Sequence, residues 1–208
     1  MIAGIILAAG RGERFGGGKL LAKLPSGKTI LETTVLAMSA ALPSVTLVVR
    51  RDAALTTLAD RICRANGAVL VVNERADDGM ATSIACGVGA TVGANVGANV
   101  GTNVGTKVEG WLIALADMPY VKSATMSRVA SQITNATMIV VPTFEEQRGH
   151  PVGFGLRYFA ELQQLAGDGG ARAILQGHPE HVLLLPVDDS GIVKDIDTPA
   201  DLGGHELR

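Results

Sequence analysis

Ile5-Ile6-Leu7-Ala8-Ala9-Gly10-Arg11-Gly12-Glu13-Arg14-Phe15-Gly16-Gly17-Gly18-Lys19 carries an apolar run straight into a glycine-rich, cationic loop. Ile2–Ala8 reads as a buried central strand, because it is continuously apolar rather than alternating. Between Gly10 and Lys19 stand five glycines and three cations against one acid, Glu13. Glycine lets the backbone turn tightly and bring its N–H groups close to an anion. Arg11, Arg14 and Lys19 add charge that suits a polyphosphate. A plain strand-to-loop turn has little need of so many glycines and cations together.

Two familiar phosphate loops fail here. A P-loop ending at Gly18-Lys19 requires Gly where Glu13 stands and a hydroxyl where Leu20 stands. The dinucleotide fingerprint begins at Gly10 and Gly12 but meets Phe15 at its third glycine.

Outward from this loop, short apolar strands alternate with helices. Thr29 and Glu32 have capping-box spacing and start a helix over Ile30–Leu42, which Pro43 stops. Val45–Val49 and Ala68–Val72 read as strands around a helix over Ala54–Asn66 that ends at Gly67. This alternation predicts a mostly parallel sheet covered on both faces, with ligands beyond the carboxyl ends of its strands. Further on, the pattern predicts a helix over Ser123–Gln132, a strand over Met138–Val141 ending at Pro142, and a polar, mobile loop over Phe144–Gly149. It then predicts an amphipathic helix over Tyr158–Leu165 and strands over Val182–Pro186 and Ile192–Ile196.

The totals narrow the class. A chain of 208 residues suits one α/β domain. Aromatics are only 3%, so the core is expected to be Val, Leu, Ile and Ala. A net charge of −2 argues against a general nucleic-acid or anionic-membrane surface, and no apolar run is long enough for a membrane span. The N-terminus enters a strand directly, without a signal-like charged start, which gives a cytoplasmic expectation. Cys63 and Cys86 lack CxxC spacing and are expected to be reduced thiols.

Gly89–Val108 repeats a Gly-x-x-Val tetrad, which fits neither a strand nor a heptad. It is expected to be a low-complexity surface insertion, with only the first tetrad extending the preceding helix.

Two further segments carry chemistry. Trp111–Ala116 reads as a buried strand that delivers Asp117 at its carboxyl end, where Pro119 prevents continuation. Asp117 suits Mg²⁺, a hard cation that prefers oxygen ligands and substrate phosphates; a plain turn-starting Asp is the bland alternative. Gly79 and Ser83 sit where a polar turn enters a small-residue helix, so Ser83 either faces a ligand or serves capping and packing. Gly167-Asp168-Gly169-Gly170-Ala171-Arg172 opens a short helix, where Arg172 assists an anion or Asp168 simply caps. His150, before Pro151, is either a ligand contact or a turn former.

Leu7-Ala8-Ala9-Gly10, then Arg14, Gly16 and Lys19, resembles the signature of the MobA-like nucleotidyltransferases. Gly79-Met80 with Ser83, Asp117-Met118-Pro119, Gly149-His150-Pro151 and the Asp168–Arg172 run follow in that family's order. The resemblance is closest to the molybdenum cofactor cytidylyltransferases of the MocA-like group. It implies an α/β three-layer sandwich with a mostly parallel central sheet. The implied reaction joins CMP from CTP to the molybdopterin form of the cofactor and releases pyrophosphate. Ala9 favours CTP, since guanylyltransferase relatives usually carry Gly there. Phe15 departs from the Met common in the family's loop.

By this resemblance Leu7, Ala8, Ala9, Gly10, Gly12, Arg14, Lys19, Gly79 and Ser83 bind the nucleotide. Arg14, Lys19 and Asp117 are catalytic, and Arg11 is a solvated neighbour. Asp117 and Asp197 bind Mg²⁺ or Mn²⁺, with Asp195 and Asp201 structural. His150, Asp168 and Arg172 face the acceptor, and Cys86 is either near a sulfur-rich cofactor or a small core residue. A molybdoenzyme is the implied partner. The alternatives are a guanylyl or sugar-phosphate transferase, or a molybdopterin-binding chaperone without catalysis.

Overall fold

The computed structural model describes residues 1–92 and 107–202. An eight-stranded sheet has the order β3-β2-β1-β4-β7-β5-β6, with β8 on the other side of β5. Its strands are β1 Ile2–Ala8, β2 Val45–Arg50, β3 Val69–Asn73, β4 Gly110–Leu115, β5 Ile139–Phe144, β6 Gln147–Arg148, β7 Val152–Gly155 and β8 Val182–Pro186. β1 pairs in parallel with β2 and β4, in the register Leu7↔Val48 and Leu7↔Leu115. β7 runs antiparallel to both β4 and β5, while β8 is parallel to β5. The sheet is therefore mostly parallel, and the glycine loop leaves the carboxyl end of a central strand.

The helices are α1 Ile30–Ala41, α2 Ala53–Asn66, α3 Met80–Val92, α4 Ser123–Ser131, α5 Phe159–Gln163 and α6 Arg172–Gly177. Thr29 caps α1 by accepting from the Glu32 N–H at 3.1 Å, and Gly67 ends α2 in the left-handed conformation. Alternating residues of β1 feed two cores. Ile6 and Ala8 join α1, α2 and α4 on one face; Ala3, Ile5 and Leu7 join α3, α5 and α6 on the other. A Cβ at Gly87 would stand 2.7 Å from Ile5 and 3.0 Å from Val48, so glycine lets α3 press onto the sheet. The result is the three-layer α/β sandwich anticipated above.

Four expectations need correction. β5 runs through Pro142 to Phe144. On one edge β5 passes from β7 to β6 at Pro142, whose carbonyl accepts from the Gly149 N–H at 2.9 Å, while on the other edge β8 pairs straight past it in the register Pro142↔Leu185. The expected polar loop over 144–149 contains a tight hairpin, whose turn residues Glu145 and Glu146 both have positive φ. Ile192–Ile196 is not a strand. Asp189 accepts from the Gly191 N–H at 3.0 Å and starts a 3-10 turn, and Ile192 and Ile196 are buried through isolated backbone bonds. The helix expected over Tyr158–Leu165 is split into a 3-10 turn, Leu156–Tyr158, and the short α5.

The aromatics, although few, are concentrated rather than absent from the core. Trp111, Phe154 and Tyr158 are fully buried on the α3–α5 face, and Trp111 stacks on Phe159 with ring centroids 5.9 Å apart. Helix α3 includes the first tetrad, through Val92. The tetrads from residue 93 to 106 lie outside the described residues. Cys63 is buried and Cys86 half-buried against the α3–α5 core; both are free thiols. Burial pushes the Cys63 thiol up to about 11. Among the described residues no helix is long and apolar enough to cross a membrane.

Candidate active site

The loop after β1 depends on backbone conformations that side chains disfavour. Gly12, Gly16, Gly17 and Gly18 all have positive φ. They frame two single 3-10 turns, Glu13–Phe15 and Lys19–Leu21. The second turn lays Lys19 back across the mouth of the sheet. Its ammonium lies 2.7 Å from Asp117 Oδ2 and 3.3 Å from Asp197 Oδ1. Arg14 Nη1 approaches the other Asp197 oxygen at 2.8 Å. Three segments far apart in sequence thus meet at one point.

Backbone bonds hold them there. The Ala116 N–H donates to the Leu7 carbonyl at 3.0 Å, extending the β1–β4 pairing to the residue before Asp117. The Ile196 N–H donates to the Asp117 carbonyl at 2.9 Å, which ties the two carboxylate segments together. Asp201 accepts from the N–H groups of Asp197 at 3.1 Å and Thr198 at 2.7 Å. It is the structural residue expected there, whereas Asp195 is exposed.

The electrostatics follow from the geometry. The Lys19 side chain is 12% exposed, against 25% for Asp117, 38% for Asp197 and 80% for Arg14. Burial works to lower the Lys19 pKa, but the bonds and charges of Asp117 and Asp197 outweigh it and hold the ammonium above its ordinary value. Burial likewise works to raise Asp197, and hydrogen bonds from Arg14 and Lys19 reverse this to a net lowering. The donor set fits a divalent cation: two carboxylates from separate segments already surround one positive charge, with hard oxygen atoms.

Three adjoining cavities share Leu7. The first, about 380 Å³, is lined by Ala8, Gly10, Gly12, Lys19 and Asp117, and also by Arg11. The second, about 310 Å³, is lined by Ala9, Gly10, Gly79, Ser83 and Asp168. The third, about 450 Å³, is walled mostly by apolar side chains such as Ile84, Val141 and Phe154, with Arg148, His150 and Arg172 as its polar members. Arg14 and Asp197 line a fourth, more open recess beside Lys19. The structure therefore brings the expected nucleotide residues to neighbouring cavities. It places His150 and Arg172 in the apolar one, but Asp168 in the cavity with Ala9 and Ser83.

Arg11 is exposed, the solvated neighbour that was expected. It pairs with Asp77 at 2.9 Å, joining the glycine loop to the turn before α3. Gly79 is required sterically: with φ +104, a Cβ there would run into the Gly167 carbonyl. That close approach lets the Ala81 N–H donate to the Gly167 carbonyl at 3.1 Å and brings the Asp168 segment to α3.

Sequence reasoning missed Asn73 and Arg148. Buried Asn73 donates from Nδ2 to both Thr82 Oγ1 and Ser83 Oγ at 3.0 Å, orienting the Ser83 hydroxyl. A polar residue ending an apolar strand at the ligand edge was the available signal. Arg148 sits on the β5–β6 hairpin, where the sequence alone predicts a loop. His150 is joined to Pro151 by a cis peptide bond. Its Nδ1 is buried without a hydrogen-bond partner. Burial holds its imidazole below the ordinary pKa, only partly opposed by Asp117 and the Ile113 carbonyl.

The MobA-like NTP transferase domain model matches residues 4–182. Rv0371c from Mycobacterium tuberculosis H37Rv is 28% identical over 97% of this chain and 95% of its own, with a TM-score of 0.72. The manganese complex of that protein aligns at 26% identity over 96% and 95%, with a TM-score of 0.68. Molybdopterin-guanine dinucleotide biosynthesis protein A from Archaeoglobus fulgidus is 21% identical over 97% and 95%, with a TM-score of 0.61. No curated protein matches the chain.

Proposed function

Because the chain belongs to the MobA-like NTP transferase family, we propose that it joins CMP from CTP to the molybdopterin form of the molybdenum cofactor. The convergence of Arg14 and Lys19 on Asp117 and Asp197, beside an apolar cavity, carries this reading. The glycine loop, Arg14 and Lys19 bind the triphosphate. Asp117 and Asp197 hold Mg²⁺ or Mn²⁺; the manganese complex of Rv0371c supports a divalent metal here. When bound, the metal neutralises phosphate charge and stabilises what develops on the leaving pyrophosphate.

Lys19 is paired with both metal-binding carboxylates. On substrate binding its ammonium turns from them to the phosphates. The acceptor's phosphate oxygen attacks the α-phosphorus, the bond from that phosphorus to the β-bridging oxygen breaks, and pyrophosphate leaves. An acceptor phosphate monoester with a second pKa of about 6 is already mostly dianionic at neutral pH, so no strong general base is needed. The protein's main contribution is alignment and charge stabilisation.

Ala9 lines the cavity that also contains Ser83, so its methyl stands where a base would approach. This supports CTP over GTP. The apolar third cavity suits a flat heterocycle better than a sugar phosphate, with Arg148, His150 and Arg172 available to its polar edge. These three residues are the acceptor contacts, and the surface around that cavity is where a molybdoenzyme would collect the product.

The test is pyrophosphate release with purified molybdopterin and each NTP in turn. CTP is expected to give the fastest release. Release with GTP but not CTP overturns the base assignment, and undiminished release by Asp117→Ala overturns the metal assignment.

A further inference from the structure

Helix α1 buries Ile30, Leu31, Thr34, Val35 and Met38 along one stripe. Thr34 is the polar member of that stripe, and it is 1% exposed. Valine has nearly the same shape and helix propensity and would carry no polar group into the core. A hydroxyl in this place therefore needs a partner. Its Oγ1 lies 2.9 Å from the Ala116 carbonyl oxygen and 3.2 Å from that of Ile30. The Ile30 carbonyl is already served by the helix's own i→i−4 pattern. The Ala116 carbonyl stands one residue beyond the end of β4, on a buried residue. No backbone N–H among the described residues donates to it. The single hydroxyl hydrogen thus has most to satisfy at Ala116, which is also the shorter bond.

That carbonyl belongs to the peptide group that enters Asp117. The peptide group that leaves Asp117 is held as well, because its carbonyl accepts from the Ile196 N–H at 2.9 Å. A residue has only two soft backbone dihedrals. With the carbonyls on both sides of its Cα tied, Asp117 has little freedom in either, and its Cα–Cβ bond keeps one direction. That direction decides where the carboxylate stands, now 2.7 Å from the Lys19 ammonium. The tether at the Asp117 carbonyl comes from the segment that also carries Asp197. The tether at Ala116 comes from α1, none of whose residues lines the four cavities described above.

We propose that Thr34 is a positioning residue for Asp117: its hydroxyl, acting through the Ala116 carbonyl, aims the carboxylate that binds the divalent metal. The proposal rests on the metal role given to Asp117 above. Thr34 itself touches neither nucleotide nor metal. Without its hydroxyl the buried Ala116 carbonyl has no donor, and its peptide group turns to find one. That turn swings the Asp117 carboxylate relative to Asp197. A small divalent cation demands near-ideal ligand geometry, so a pair of carboxylates displaced in this way holds it less well.

The experiment is a titration of the metal-free full chain with Mn²⁺, without nucleotide, read from the electron-spin resonance of the unbound ion. The unmodified chain is compared with Thr34→Val, Thr34→Ser and Asp117→Ala. Uptake that is lost in Asp117→Ala defines the site. Thr34→Val keeps the packing and removes the hydroxyl, and is expected to weaken Mn²⁺ binding about 10-fold. Thr34→Ser keeps the hydroxyl and removes the methyl group, and is expected to retain most of the affinity. Metal-free thermal melts are the control. Both variants give up some stability, one a hydrogen bond and the other a methyl contact, so Tm does not separate them whereas metal affinity does. Equal Mn²⁺ affinity in the unmodified chain and Thr34→Val overturns the proposal and leaves the metal site standing. Binding as weak in Thr34→Ser as in Thr34→Val also overturns it, because the methyl group is then what matters. No uptake by the unmodified chain, or undiminished uptake by Asp117→Ala, overturns the metal assignment itself.

Discussion

Replacing Lys19 by Met removes one charge and keeps most of the packed stem. In the present structure that charge is shared between two carboxylates, Asp117 and Asp197. The bond to Asp117, at 2.7 Å between side chains 12% and 25% exposed, is worth about 1.5–3 kcal/mol as a charge-assisted hydrogen bond. The 3.3 Å approach to the more exposed Asp197 is screened and contributes about 0–1 kcal/mol. Lys19→Met is therefore expected to cost about 2 kcal/mol of stability, a fall in Tm of about 4–8 °C for a chain of this size. Loss of the proposed phosphate contact is expected to lower kcat for pyrophosphate release by about 10²–10³-fold. Metal binding should move the other way. Without a competing ammonium, Mn²⁺ in the absence of nucleotide is expected to raise the variant's Tm more than that of the unmodified chain. Thermal melts with and without Mn²⁺, alongside a pyrophosphate assay, read all three quantities. Unchanged kcat, or a smaller Mn²⁺-induced rise in the variant, contradicts the role assigned to Lys19.

Ala9→Gly removes the methyl beside Ser83 and should lower the CTP-to-GTP preference in kcat/KM by about 10-fold or more, since a methyl-sized contact is worth roughly 1–3 kcal/mol; an unchanged ratio places base choice elsewhere. Gly79→Ala forces a side chain into positive φ and into the Gly167 carbonyl, so its Tm should fall by about 4–8 °C for a loss of about 2 kcal/mol. A melt within 1 °C, roughly the shift expected for a few tenths of a kcal/mol, means that the two segments do not abut as described. Buried His150 titrates below the value of about 6.5 expected in the unfolded chain. Its contribution to stability is fully present above that pH and is lost as pH falls toward the folded value, because the unfolded chain takes up the proton first. His150→Gln should flatten that acid limb in pH-dependent denaturant melts, and an unaltered slope removes His150 as its source.

Much of this arrangement was legible in residue types. A phosphate-binding loop needs glycines at strained φ and cations nearby, and Gly12, Gly16, Gly17, Gly18, Arg14 and Lys19 stand together in sequence. Ile2–Ala8 announced a central strand because both its faces are covered. Asp117 was visible because a carboxylate ending an apolar strand is expensive unless used or paired. What escaped depends on partners distant in sequence. Nothing in residues 11–19 tells that Lys19 pairs with Asp117 and Asp197, or that Arg11 meets Asp77. Pro142 is read locally as a strand end, yet the strand continues because β5 changes neighbours there on one edge while β8 pairs through it on the other. Ile192 and Ile196 have strand-like character, but Asp189 diverts the backbone into a 3-10 turn while their side chains still reach the core.

The transfer itself is followed with CTP labelled at the α-phosphate, incubated with molybdopterin and either Mg²⁺ or Mn²⁺. The label is expected to appear in a molybdopterin-linked product, one mole for each mole of unlabelled pyrophosphate, and only when both acceptor and divalent metal are present. Label that remains in CTP, or appears solely as free CMP, contradicts nucleotidyl transfer to this acceptor.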